Sequence, residues 1–161
     1  MRRTVCVDID GVVVGGIYIP EWDRQPSIYS ELQSIDGACN ALWHLNNKHR
    51  IYYVTSRSFI NANITTIDWL KKHNFPLGCG VITSIPSAEK FLIAKSLGAA
   101  YHVDDNPSIV TSMIGTGVQG VLFVGRDEKG WWSGTREWID SGRPYFDDWT
   151  KLAKFISTRL S

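Results

Sequence analysis

The sequence predicts an α/β fold, a parallel sheet covered by helices on both faces. Short apolar, β-branched runs recur along the chain and read as buried strands. Between them lie segments with apolar residues at helical spacing, an alternation that implies right-handed crossovers. Acidic residues stand where these strands end, and open α/β sheets bind ligands beyond the carboxyl ends of their strands.

Thr4-Val5-Cys6-Val7 is the first strand, and it runs straight into Asp8-Ile9-Asp10-Gly11. Val12-Val13-Val14-Gly15-Gly16-Ile17-Tyr18-Ile19 reads as a β-hairpin turning at Gly15-Gly16, a flap overhanging the acidic pair. Residues 20–34 are irregular and suit a small lid. Segment 36–48 is a helix with Ala38, Ala41, Leu42 and Leu45 on one face and Asp36 as its cap. Arg50-Ile51-Tyr52-Tyr53-Val54 is the second strand. Helix 61–73 carries Ile64, Ile67, Trp69 and Leu70 and stops before Pro76; Gly80-Val81-Ile82 is a short third strand. Helix 87–97 opens on Ser87-Ala88-Glu89-Lys90 and closes at Gly98. Ala100-Tyr101-His102-Val103 is the fourth strand, and helix 107–114 comes after Asn106 with Pro107 in its first position. Gly120-Val121-Leu122-Phe123-Val124 is the fifth strand. The stretch 126–145, dense in glycine and tryptophan, reads as a loop or a second hairpin. Helix 147–157 packs Trp149, Leu152, Phe155 and Ile156.

A chain of 161 residues suits one domain spanning 1–161. That length buries about two-thirds of the surface its unfolded form exposes, so no staples are needed. Seventeen basic and sixteen acidic side chains leave a formal charge of +1, which gives no support to a broad nucleic-acid or membrane-surface role (Lys+Arg 17, Asp+Glu 16). Cys6, Cys39 and Cys79 form neither a zinc spacing nor a disulfide framework, which favours a reducing compartment. Met1-Arg2-Arg3 leads directly into the first strand and leaves no room for a signal peptide, and no apolar run is long enough to span a bilayer. The expected location is the cytoplasm.

The chemistry gathers at four strand ends. The first offers Asp8 and Asp10, which repel each other unless a cation or a proton lies between them. The second ends Val54-Thr55-Ser56-Arg57, with a hydroxyl at the strand tip; the third helix carries Lys90; the fourth strand ends Val103-Asp104-Asp105-Asn106. Four carboxylates, an ammonium and a hydroxyl fit a magnesium ion and a phosphoryl group, because Mg²⁺ takes hard oxygen ligands and lysine offsets phosphate charge. Each piece alone has a plainer reading: a strand-to-turn transition for the first pair, a strand threonine, a solvated helix lysine with Lys95 as rival, and helix capping for the last pair. Their joint order is what turns the odds against these plainer readings.

These residues resemble the motifs of the haloacid dehalogenase-like superfamily. Asp8-Ile9-Asp10-Gly11 is similar to its first motif, Ile51-Tyr52-Tyr53-Val54-Thr55 to its second, Lys90 to its third and Val103-Asp104-Asp105 to its fourth. The resemblance runs from Val5 to Val124, and the helix with Thr66-Ile67-Asp68-Trp69-Leu70 resembles nucleotidase-like and polynucleotide-phosphatase-like members. It implies a three-layer α/β/α Rossmann-like sheet and a Mg²⁺-dependent phosphatase working through an aspartyl-phosphate. Asp8 would then be nucleophile and metal ligand. Asp10 would be the general acid/base and would give its backbone carbonyl to the metal. Thr55 and the Ser56 amide would hold phosphate, and Lys90 would clamp nucleophile and phosphate. Asp105 would ligate the metal, with Asp104 orienting Lys90 or a metal-bound water. Only about 45 residues separate the first motif from the second, and a helix takes part of them, so there is no room for a full cap domain.

The expected substrate is a small phosphorylated molecule, a nucleotide monophosphate by resemblance. A phosphatase of polynucleotide ends, a phospho-acceptor signalling domain and an inactive partner-binding relative are the alternatives. Arg57 has two equal readings, substrate binding or a surface ion pair. Trp22 in the lid is a candidate for stacking on a base, whereas Trp131, Trp132 and Trp138 read as packing or contact residues. His44, His49, His73 and His102 show no ligand spacing, and His102 reads as a satisfied interior histidine.

Overall fold

A computed structural model describes residues 2–15, 25–125 and 132–160. Six parallel strands form one sheet in the order β3-β2-β1-β4-β5-β6: β1 Thr4–Val7, β2 Arg50–Val54, β3 Gly80–Ile82, β4 Ala99–Asp104, β5 Gln119–Phe123 and β6 Tyr145–Phe146. The described helices are α1 Pro26–Glu31, α2 Ala38–Lys48, α3 Ala62–Lys72, α4 Lys90–Ser96, α5 Pro107–Ser112, α6 Thr135–Asp140 and α7 Trp149–Arg159. The sheet grows outward from β1 in one direction through β3, then returns to the other side of β1 for β4. That reversal opens a crevice at the carboxyl ends of β1 and β4.

Alternation along the strands divides the core. Val5 and Val7 face one side, with Leu42 and Leu45 of α2, Trp69 and Leu70 of α3 and Trp149 and Leu152 of α7. Cys6 and Val54 face the other side, with Ala94 of α4 and Ile109 of α5. Register fixes the functional edge: Val7 lies opposite both Tyr53 and Val103, so the residues after each strand emerge together. The Asp8 amide still donates to the Val103 carbonyl at 2.9 Å, carrying the pairing one residue past β1.

Three local expectations differ. Val12-Val13-Val14 forms a turn rather than a regular strand, with Val14 bridged antiparallel to Ser34 (Gly15 amide to Gln33 carbonyl 2.9 Å, Ile35 amide to Val13 carbonyl 2.8 Å). The amides of Val12, Val13 and Val14 all donate to the Ile9 carbonyl (3.3, 2.8 and 2.9 Å), and the Gly11 amide donates to the Val14 carbonyl at 2.9 Å. The result is a tight turn whose three valines are fully buried. The Trp149 indole pins it by donating to the Val12 carbonyl at 2.7 Å. Residues 16–19, the expected second arm, lie outside the described residues. In the expected lid, 20–24 also lie outside them, whereas Pro26–Glu31 forms α1, packed beside α3 with Tyr29 buried. In the tryptophan-rich stretch, 126–131 lie outside the described residues, and the remainder forms α6 and the edge strand β6 rather than a hairpin. Trp138 secures α6 by packing against Val110, Leu122 and Val124.

Smaller departures sit at helix starts. Gly37, at φ 79°, caps α2 in place of Asp36. The helix expected at 87–97 begins as a 3-10 turn, Ser87–Glu89, so that Lys90 opens α4 itself.

Candidate active site

Asp8 closes β1 with its carboxylate buried. Lys90 reaches it from the first position of α4, with Nζ 2.8 Å from Asp8 Oδ1 and 2.9 Å from Asp104 Oδ2. Lys95, the rival lysine, is exposed. Asp104 ends β4 and has no exposed surface. Its Oδ2 also contacts His102 Nε2 at 3.1 Å, and its Oδ1 accepts from the Asn106 amide at 3.1 Å. Asp8, Asp104 and Asp105 each bring an oxygen into one cluster in which these atoms lie within 4.8 Å of one another.

Gly11 makes room for that cluster. It adopts φ +77°, and a Cβ there would collide with the Asp105 carboxylate. Asp105 also accepts a hydrogen bond at Oδ2 from Trp132 Nε1 at 2.8 Å. Trp132 is half-exposed, so of the two described tryptophans in that stretch it stands at the site while Trp138 packs inside.

The charges set the chemistry. Burial pushes the Asp8 carboxyl well above the usual range, aided by Asp104, Asp105 and Asp10 and opposed by Lys90. Burial and the Asp104 charge push Asp105 up to about 7. Burial alone would also raise Asp104, but Lys90 and His102 outweigh it and hold Asp104 down at about 2. Burial disfavours charge on Lys90, yet its two carboxylate partners keep it above the ordinary lysine range, as a fixed ammonium. Burial lowers His102, which stays neutral. Three acids surround one ammonium, and burial together with their mutual repulsion raises Asp8 and Asp105. An all-oxygen donor set with surplus negative charge fits a hard divalent cation.

Asp10 stands apart. Its carboxylate, 40% exposed, accepts Arg57 Nε at 2.9 Å and Nη2 at 2.7 Å. The Arg57 side chain is 1% exposed and directs Nε and Nη2 at this partly exposed carboxylate. Thr55 is buried just beyond β2, its Oγ1 accepting the Arg57 amide at 3.3 Å. Ser56 Oγ lies 3.1 Å from Ser87 Oγ. The structure thus gathers Asp8, Lys90, Asp104 and Asp105 tightly and ties Asp10 to Arg57, while Trp22 and Trp131 lie outside the described residues. Sequence reasoning missed the bond from Trp132 to Asp105 and the service of Tyr29 and Thr66 to Arg57 (guanidinium 4.5 Å over the Tyr29 ring, Nη1 3.2 Å from Thr66 Oγ1). No local signal marks any of these, since Trp132 and Tyr29 lie far from their partners in the chain and Thr66 reaches Arg57 from the separate helix α3.

No family model matches the chain. A curated protein of Oceanobacillus iheyensis, provisionally named a nucleotidase, is 32% identical over 69 residues, which cover 42% of this chain and 36% of that protein. The match thus spans about a third of that relative's length. Among solved structures, a haloacid dehalogenase-like hydrolase of Streptococcus pneumoniae is similar over 96% of this chain and 98% of its own, with a TM-score of 0.63 and 12% identity. The D,D-heptose 1,7-bisphosphate phosphatase of B. bronchiseptica, complexed with magnesium and phosphate, is similar over 98% and 99%, with a TM-score of 0.65 and 12% identity. Sheet order, the buried lysine between two acids and these likenesses lead to one statement: the chain has the fold of the haloacid dehalogenase-like superfamily.

Proposed function

We propose that the protein is a Mg²⁺-dependent phosphomonoesterase acting on a small phosphorylated substrate, with a nucleotide monophosphate as the substrate class. The observation that carries this is Lys90 seated between Asp8 and Asp104 beside Asp105. Lys90 bridges Asp8 at Oδ1, and the nucleophile in this reading is the other carboxylate oxygen, Oδ2. That oxygen attacks phosphorus, and the bond to the leaving oxygen breaks as an aspartyl-phosphate forms. Asp10 gives its proton to the leaving oxygen, then takes one from the water that releases phosphate and restores Asp8. Lys90 holds Asp8 and offsets phosphate charge; Thr55 and the Ser56 amide bind phosphate oxygens. Asp8, Asp105 and the Asp10 backbone carbonyl would hold Mg²⁺, which neutralises charge on nucleophile and phosphate, while Asp104 keeps Lys90 in place.

The nucleotide class rests on the resemblance of the Thr66–Leu70 helix and on the name of the Oceanobacillus iheyensis relative. We further propose one domain across 1–161, without a full cap, in the cytoplasm. No helix among the described residues is long and apolar enough to cross a membrane.

The test is steady-state hydrolysis of p-nitrophenyl phosphate and a panel of nucleoside monophosphates. Wild type should turn over repeatedly with Mg²⁺ and stop in EDTA. Asp8→Asn should lose about 1,000-fold or more in kcat with an unchanged circular dichroism spectrum. Retained turnover in that variant removes Asp8 as nucleophile, and a single phosphorylation without turnover favours a phospho-acceptor domain instead.

A further inference from the structure

Arg57 is held on three sides. Its backbone amide donates to Thr55 Oγ1, and its carbonyl accepts the Ser84 amide at 2.8 Å. Nη1 donates to Thr66 Oγ1 at 3.2 Å, and that hydroxyl is itself fixed by donating to the Ala62 carbonyl at 2.7 Å. The guanidinium lies 4.5 Å over the Tyr29 ring, which stacks on Phe59 with centroids 4.5 Å apart. The remaining edge, Nε and Nη2, meets Asp10 as a two-pronged fork. A rigid, buried fork facing a partly exposed carboxylate dictates where that carboxylate points. Three of the five guanidinium N–H donors are thereby committed to Asp10 and Thr66.

We propose that Arg57 is a positioning residue for Asp10, with α1 and α3 as its buttress through Tyr29 and Thr66. This rests on the phosphatase reading above. There, the phosphorus–oxygen bond breaks with its electron pair going to the leaving oxygen, which takes the Asp10 proton. In the second half, water forms the new bond to phosphorus, gives its proton to Asp10, and the Asp8–phosphorus bond breaks. Each oxygen of Asp10 receives one bond from the fork and keeps a lone pair for that proton. An alkoxide leaving group needs the proton; p-nitrophenolate leaves without it. A misdirected Asp10 therefore harms alkyl phosphates first.

The experiment compares kcat/KM, which reports the first phosphoryl transfer, for p-nitrophenyl phosphate and glycerol phosphate in wild type, Arg57→Lys and Arg57→Gln. The loss on glycerol phosphate should exceed that on p-nitrophenyl phosphate by at least tenfold. Slowed release of the covalent phosphate should add a burst of p-nitrophenol. Arg57→Gln in an Asp10→Asn background should add less than a twofold loss. Thr66→Val, which leaves Arg57 and Asp10 intact, should reproduce the pattern in milder form, and it carries the test where Arg57→Gln fails to fold. Equal losses on both substrates, or further loss in the double variant, overturn the proposal while leaving the phosphatase reading standing. A wild type that hydrolyses neither substrate, nor any nucleoside monophosphate, with Mg²⁺ overturns both.

Discussion

Replacing Lys90 with methionine is the sharpest physical test of the site, because it removes a charge and little volume. In the wild type the ammonium, 2% exposed, pairs with two carboxylates whose side chains are 8% and 0% exposed. Taking one partner from a buried ion pair costs about 3–5 kcal/mol, because the orphaned charge stays buried. Two carboxylates are orphaned here, but the costs do not add: Asp8 is already pushed upward and relieves the repulsion by taking a proton. The loss expected at pH 8 is thus about 3–5 kcal/mol. For a chain of this size each kcal/mol moves Tm by about 2–4 °C, so Tm should fall by ~6–20 °C. The pH effect has a definite sign. The Lys90 pKa is raised on folding, so its contribution is complete below its unfolded pKa and is lost only as pH climbs through the folded one. Between pH 5 and 8 the wild type keeps that contribution whole. The variant should regain stability towards pH 5, as its unpaired acids protonate. Melting curves by circular dichroism at both pH values, in EDTA, read the effect. A variant melting within 2 °C of wild type at both would show that the ion pairs contribute nothing and that Lys90 is merely packed.

Three other outcomes are expected. The Asp105 carboxyl is raised on folding to about 7, so the native state holds a proton that the unfolded chain releases near pH 4; stability contributed this way falls as pH rises from about 4 through 7. In EDTA, the stability of wild type relative to Asp105→Asn should therefore be lower at pH 8 than at pH 5, a comparison in which the buried histidines cancel; a difference that is flat, or rises, refutes the raised carboxyl. Gly11→Ala should destabilise by about 1–3 kcal/mol, because alanine is strained at positive φ and its methyl displaces Asp105, and it should weaken Mg²⁺ binding by calorimetry; unchanged affinity would mean that Asp105 is no ligand. Trp132 donates to Asp105 Oδ2, on a carboxylate of the acidic cluster, so Mg²⁺ should shift tryptophan emission in wild type and not in Trp132→Phe.

Much of this was legible because it is local. β1, β2, β3 and β4 are β-branched or aromatic runs, and their core faces follow from alternation alone. The site residues nearest strand ends inherit that legibility: once β1 and β4 are neighbours, Asp8 and Asp104 must meet. The failures are non-local. Three consecutive valines carry no period of their own, and Val12, Val13 and Val14 curl into a turn because Trp149, far along the chain, covers them. Arg57 sits two residues from Thr55, yet its role is written in Asp10, Tyr29 and Thr66 on three other segments. Helix α6 has only six residues and no capping side chain, so nothing short-range announces it.

The bond from Trp149 to the Val12 carbonyl spans 137 positions and has a consequence for synthesis on the ribosome. β1 emerges first, yet it lies in the middle of the sheet and waits for β4 on one flank. The turn just after its acids gains its final support only when α7 has left the exit tunnel. A nascent chain must keep the β4-facing edge of that apolar strand open after β2 has paired with its other edge, the condition under which a trigger-type holdase protects a polypeptide from aggregation. A product lacking α7 would carry every motif residue but lose the Trp149 bond that fixes the turn after Asp8 and Asp10.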